Sequence, residues 1–363
     1  MLAERMRRLA PSPIRRIFDL AATVKDPIDL SLGDTDFDVP EPIKAEAVRW
    51  IQQGFNKYTL TQGIPELRDK IKEHLRNKGI EAEEVIVTVG ATGGLFLSLL
   101  ATLNPGDEVL IPDPYFVMYE ILVRLLGGEP KFINTYPDFT LRGEEIERLI
   151  TPATKMIMIN NPTNPTGAVF SKEQIRMVAE SAKRYGLLVI SDDIYERFLY
   201  DDPEHFSVGQ FYENTITVGG FSKGIGATGW RLGYAAGPAR IIRAMINIQQ
   251  FTYTCAPSFA QKAAILALDY DTSSIIEEYR KKRDLIYEGL KDNYEVVKPK
   301  GAFYIFPKAP DGDGTAFVEK AIQRRLFIVP GIAFSQRDTH FRISFAASDE
   351  KLMKAVEILN SLA

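Results

Sequence analysis

A lysine set among small residues is where chemistry first shows in this chain. Gly220-Phe221-Ser222-Lys223 closes an apolar run, and Gly229-Trp230-Arg231-Leu232-Gly233 follows it. Flanking Gly and Ser leave the amine uncovered in a tight backbone, which does not suit a solvated surface charge. Reduced hydration lowers a lysine pKa and frees the amine to attack an aldehyde. Arg231, eight residues on, offers a planar fork suited to phosphate. Taken singly, a loop lysine and a structural arginine would explain these two residues better.

Other groups converge on the same chemistry. The apolar run 85–89 meets Gly90-Ala91-Thr92-Gly93-Gly94, with a helical run from Leu95. Small residues opening a helix offer backbone N–H groups and the positive helix end to a phosphate, although glycines also make ordinary turns. Asp113-Pro114-Tyr115-Phe116, with Tyr119 beyond, supplies aromatics that could pack in a core or stack on a ring. Asn160 to Gly167 is rich in turn residues. Ser191-Asp192-Asp193-Ile194-Tyr195 ends a buried run, where a carboxylate is costly without a cationic partner. Phe341-Arg342-Ile343-Ser344-Phe345 puts a charge inside an apolar strand, which a structural ion pair would also explain.

Together these segments resemble the class I/II aminotransferases of fold type I, which depend on pyridoxal 5'-phosphate. The phrases at 14–20, 116–119 and 298–304 look most like the archaeal-type aromatic/aspartate subgroup. The resemblance runs from about Ser12 to the C-terminus. It implies that Lys223 carries the cofactor as a Schiff base and then moves a proton. Ser222 and Arg231 would bind the phosphate, with Ala91 and Thr92 in the phosphate loop. Many members have a serine where this chain has Gly220. Phe116 would stack on the pyridine ring, with Tyr115 as the alternative, and Tyr119 would stand behind the ring's carboxylate partner. That partner would be Asp192, with Asp193 a solvated neighbour. Asn164 and Tyr195 would bond the ring oxygen. Arg342 would clamp the substrate α-carboxylate, which Gly33 approaches. Tyr58 would reach the phosphate of a neighbouring subunit, so the resemblance implies a homodimer with shared sites.

The implied reaction is ping-pong transfer from an L-amino acid (aromatic, aspartate or broad) to a 2-oxo acid such as 2-oxoglutarate. A lyase eliminating from cysteine conjugates would keep the same cofactor residues. The spacing of Gly90–Gly94 lacks the G-x-G-x-x-G pattern of a nicotinamide enzyme. Aspartate-preferring members often set a lysine or arginine against the distal carboxylate, and one subgroup carries a lysine in the phosphate loop where this chain has Thr92.

These residues need elements to hold them. Runs at 85–89, 108–112, 131–134, 155–160, 187–191, 215–219 and 233–237 read as strands buried on both faces. Amphipathic segments lie between them, among them 172–185 with Ile175, Val178, Ala179, Ala182 and Tyr185 on one face. Alternation of this kind predicts an α/β fold with a seven-stranded, mostly parallel sheet. The tail holds a connecting helix at 275–290, strand-like pieces at 296–306, 327–330 and 340–345, and a final helix at 350–362. A small α+β domain from 1–40 and 276–363 is therefore expected beside a large one at 41–275. The loop 311–314 reads as the most flexible stretch.

Composition sets outer bounds. The chain of 363 residues has a net charge of −4, which gives no electrostatic reason for nucleic acid or an anionic membrane as partner. Arg5, Arg7 and Arg8 read as a solvated helix face, and no apolar leader follows them. Cys255 is the single cysteine, which excludes an intrachain disulfide, and the three histidines lack metal-ligand spacing. A cytoplasmic enzyme without a metal is the expectation.

Overall fold

The computed structural model describes residues 6, 17, 20–201 and 204–363. Arg5, Arg7, Arg8 and most of the phrase 14–20 lie outside the described residues. Strand β1 (Ile28–Asp29) stands apart from the main sheet. That sheet takes the seven predicted runs as β2 (Glu84–Val89), β3 (Glu108–Asp113), β4 (Glu129–Asn134), β5 (Thr154–Asn160), β6 (Leu188–Asp192), β7 (Thr215–Gly220) and β8 (Leu232–Gly237). Their order is β2-β8-β7-β6-β5-β3-β4. The other six strands share one direction and β8 alone is reversed, antiparallel to β2 and β7. Every residue of β6 and β8 is buried, which is why those runs are continuously apolar rather than alternating.

This order fixes where chemistry can sit. Parallel strands bring their C-terminal ends to one edge, where open α/β sheets bind ligands. Asn160 pairs with Asp192, and Asp192 with Val218, at the ends of β5, β6 and β7. Because β8 is reversed, its first residue lies at that same edge, with Leu232 opposite Val89. Arg231 and Gly90 meet for this reason.

Helices cover both faces. Lys172–Tyr185 starts with a capping box from Ser171 and Gln174 and ends at Gly186 in the left-handed region. Its Ile175, Val178, Ala179 and Ala182 are buried. Tyr185 is 46% exposed, so its assignment to that face was wrong. It is the last helical residue, where the stripe runs off the sheet. The helix expected from Leu95 begins earlier, as Gly90–Thr102.

The C-terminal part forms β9 (Tyr304–Ile305), β10 (Leu326–Phe327), β11 (Val329–Pro330) and β12 (Phe341–Ser344). β11, β12 and β9 make one small antiparallel sheet, and β10 pairs in parallel with β1. Leu30 donates its N–H to the Phe327 oxygen, and Ser344 donates to the Leu30 oxygen. The N-terminal segment is thereby tied to β12. Helices Ser273–Leu290 and Asp349–Asn360 close over a core that includes Leu30, Tyr279, Phe303, Phe341 and Leu352.

One expectation fails here, and one helix lies beyond those expected. Only Tyr304–Ile305 of the stretch 296–306 is a strand. Lys300 and Gly301 instead donate N–H bonds to the Gly167 oxygen, so loop contacts take the backbone groups a ladder would need. The stretch 311–314 opens an unforeseen helix, Gly314–Gln323, whose N-cap Asp313 accepts from the Ala316 N–H. Asp and Gly serve caps as readily as turns.

Candidate active site

A cavity of about 250 Å³ opens between the C-terminal edge of the main sheet and β12 with β9. Gly33, Ala91, Thr92, Phe116, Asn164, Asp192, Tyr195, Ser222, Lys223, Arg231 and Arg342 all line it. Tyr58 does not. It is 84% exposed and borders a separate groove that also touches Arg231.

At one end lies the start of helix Gly90–Thr102. Gly90 to Gly94 are its first turns, so the N–H groups of Ala91 and Thr92 lack the helical acceptors that later residues have. Two glycines admit the close packing there. A Cβ on Gly90, whose φ is +70°, would lie 2.5 Å from Arg231 Nη2, and one on Gly233 would lie 2.4 Å from the Ala91 nitrogen. Arg231 holds a left-handed φ of 52° and donates from Nη1 to the Thr228 oxygen at 2.8 Å. Gly220 is also crowded, since an added Cβ would sit 3.1 Å from Ile194 Cδ1.

The middle of the cavity holds opposed charges. Asp192 is 4% exposed, and Tyr119 donates its hydroxyl to Asp192 Oδ2 at 2.7 Å. The Ile194 N–H donates to Oδ1 at 3.2 Å. Burial pushes the Asp192 carboxyl up to about 6, against the bonds from Tyr119 and Ile194. Lys223 is pulled the other way. Burial lowers its amine to about 8, which Asp34 partly resists, while Arg231 and Arg342 lower it further. Lys223 Nζ donates to the Gly33 oxygen at 2.5 Å. Phe116 lines the cavity, whereas Tyr115 stacks on Phe132 at 5.0 Å and donates to Glu120.

Asp193 corrects the expectation of a solvated neighbour. It is 1% exposed, accepts from Ser191 Oγ at 2.8 Å, and has its Oδ2 without a partner among the described residues. Side chains alternate along a strand, so consecutive residues leaving β6 face opposite ways and one lands in the core behind it.

At the other end Arg342 is 1% exposed. Nη1 donates to Asn164 Oδ1 at 3.0 Å, Nη2 donates to the Ser31 oxygen, and Nε has no partner among the described residues. The rings of Tyr304 and Phe334 lie 4.6 and 4.4 Å from its guanidinium carbon. Among the described residues no carboxylate lies in ion-pair range of it, so the structural ion pair is not there. Asn160 sets the floor. It donates to the Asp192 oxygen at 2.9 Å and accepts from the Asn164 N–H at 2.9 Å.

Six lining residues have no site role in the sequence reading: the apolar Leu32, Leu95 and Ile194 and the polar Asn160, Thr228 and Tyr304. Tyr304 stood inside the phrase 298–304, but nothing local marked it as chemical. Its hydroxyl lies 2.8 Å from that of Tyr195.

The profile of the class I and II aminotransferases matches residues 25–359. The chain belongs to that family. It is an aminotransferase, and its relatives agree. It is 39% identical to the probable aspartate aminotransferase of Methanocaldococcus jannaschii, with 100% of each chain covered. It is 38% identical to aromatic-amino-acid aminotransferase 2 of Thermococcus litoralis, covering 98% of this chain and 96% of the relative. The structure of Thermus thermophilus aspartate aminotransferase with maleate superposes with a TM-score of 0.96 at 38% identity, covering 100% of each chain. These relatives are named for amino transfer, so the lyase reading is set aside. Among the described residues no helix is long and apolar enough to cross a membrane.

Proposed function

We propose that this aminotransferase holds pyridoxal 5'-phosphate on Lys223 and moves amino groups between an L-amino acid and a 2-oxo acid. One observation carries the reading. A single cavity gathers a lysine whose amine titrates at about 8, a buried carboxylate, and a buried guanidinium with an orphaned Nε. The donor set fits the cofactor. Ser222, Arg231 and the N–H groups of Ala91 and Thr92 would take the phosphate, and Phe116 would cover the ring. Asp192 is a buried anion in no ion pair among the described residues, and a protonated ring nitrogen would supply the pairing cation. Bound there, the cofactor supplies an aldehyde and an electron-withdrawing ring.

The chain's own residues would do the rest. Arg342 would grip the α-carboxylate in two parallel bonds, using the donor capacity its Nε leaves open. That grip fixes which face of the α-carbon Lys223 reaches. Lys223, freed as an amine, would take the α-proton and return it on the far side of the transfer. Asn164 and Tyr195 would steady the ring oxygen, while Tyr119 would hold Asp192 in register.

Side-chain choice leans toward aromatic or broad substrates. The cations lining the cavity are Lys223, Arg231 and Arg342, each with a task already, and Leu32, Leu95, Phe116 and Ile194 supply apolar wall. Tyr58, exposed on one protomer, would complete the phosphate site of a second copy in a homodimer. We also propose the division into 41–275 and 1–40 with 276–363, since the chain's two ends share one apolar core.

Borohydride reduction of the yellow protein followed by peptide mass analysis tests the cofactor assignment. The expected adduct is on Lys223, and an adduct elsewhere overturns the assignment. A panel of amino donors against 2-oxoglutarate tests the substrate reading, with aspartate as the preferred donor the contrary result.

A further inference from the structure

We propose that Tyr304 is a positioning residue for Tyr195, donating the hydrogen bond that leaves the Tyr195 proton aimed into the cavity. The inference rests on the reading of Tyr195 above. Tyr304 is 1% exposed, and its hydroxyl is 2.8 Å from the Tyr195 hydroxyl. Among the described residues that is the only hydrogen bond Tyr304 Oη makes. A phenol has one proton to place and lone pairs to spare, and a stranded buried donor is expensive. Were Tyr195 the donor, the Tyr304 proton would have no acceptor among the described residues. With the Tyr195 proton committed to the ring oxygen, Tyr304 is the partner that donates and Tyr195 the one that accepts. Burial keeps both phenols protonated.

The placement of Tyr304 is built in. A Cβ on Gly33 would lie 2.2 Å from its hydroxyl, so glycine at 33 leaves room for that group. The ring of Tyr304 lies 4.6 Å from the Arg342 guanidinium carbon, and β9 pairs Tyr304 with Ser344 beside Arg342. One side chain thus has two separable parts. Its ring supports Arg342, and its hydroxyl orients Tyr195.

The test is a pH titration of the visible absorption band of the cofactor-loaded protein, in wild type, Tyr195→Phe and Tyr304→Phe. Losing donor strength at the ring oxygen leaves more charge there, so the proton beside it is held to higher pH. Tyr195→Phe should move the midpoint upward, and Tyr304→Phe should do the same by less, about 0.3–1 pH unit, because hydrogen-bonded chains strengthen each other only in part. Since the ring remains under Arg342, KM for the amino acid should stay within about twofold while kcat falls roughly three- to tenfold. Tyr304→Leu, which removes the ring too, should raise KM in addition. A midpoint that moves in Tyr195→Phe and not in Tyr304→Phe overturns the inference alone. If neither variant moves it, the reading of Tyr195 falls as well. An unmoved midpoint with raised KM in Tyr304→Phe would make the residue packing only.

Discussion

Arg342 and Asp192 are both buried charges in no ion pair among the described residues, and that shared condition decides what their loss should do. Arg342 has no carboxylate in ion-pair range among the described residues, and its Nε is unpaired. A bidentate pair lost at such a site costs roughly 2–5 kcal/mol, so Arg342→Ala should lower kcat/KM for amino acids roughly 30- to 5,000-fold. A slow amine substrate without a carboxylate should be spared, and equal loss for both would make Arg342 structural. Asp192→Asn should keep the fold and lose at least about a hundredfold in kcat, because removing one partner of a buried charge pair costs several kcal/mol. A variant within about threefold of wild type would place the carboxylate role elsewhere. Lys223 has a sign that can be worked out. Its amine is lowered to about 8, so the free base is the minority below that pH and the majority above it. The rate at which cofactor-free protein captures pyridoxal phosphate should therefore rise with pH and level off above about 8, read by stopped-flow absorbance. A rate that stays flat from neutrality upward would contradict the lowered amine.

At the scale of elements, two helix starts should respond differently. The start of Gly90–Thr102 is pressed against β8, where Gly233 meets the Ala91 nitrogen. Gly233→Ala must push that helix start away, so cofactor affinity should fall along with stability. Fluorescence titration of the cofactor-free variant would show it, and unchanged affinity would count against a phosphate cradle there. The start of Lys172–Tyr185 lies away from the cavity. Ser171→Ala removes its capping box and should lower stability by about 1 kcal/mol, read from the denaturant midpoint, with kcat and KM unchanged. The contrast separates a helix end that serves the site from one that serves only the fold.

The whole molecule carries the remaining prediction. Tyr58 and Phe251 are 84% and 86% exposed, unusual values for large apolar-bodied side chains, and they fit a surface that a second copy covers. If Tyr58 serves the partner's phosphate, mixed dimers of Lys223→Ala with Tyr58→Ala should regain activity. One of the two sites would then hold Lys223 and an intact Tyr58 together. Co-refolded mixtures should recover turnover well beyond the sum of the separate variants, and failure to complement would argue for Tyr58 acting within its own chain.

Much of the site was readable because chemistry there is local in sequence. Lys223 with Ser222, Asp192 with Tyr195, and the glycines at 90, 93 and 94 each sit within a few residues of a strand end, and a continuously apolar strand announces burial on both faces. The strand runs themselves were fixed by composition, since only a sheet covered on both sides tolerates them. Tyr304 was not readable, nor was the true place of Asp193. Tyr304 matters through Tyr195, 109 residues away, and through Arg342, neither of which its own neighbours encode. Asp193 was judged by its charge, yet alternation along the chain turned it into the core beside Ser191 and His205. The helix Gly314–Gln323 was hidden because an Asp–Gly start serves a cap and a turn alike. Sequence decided which residues could do chemistry, because reactive types need particular neighbours. Tertiary structure decided which of them share one cavity, because the reversed β8 and the N-terminal segment tied to β12 bring distant chain segments to the same sheet edge.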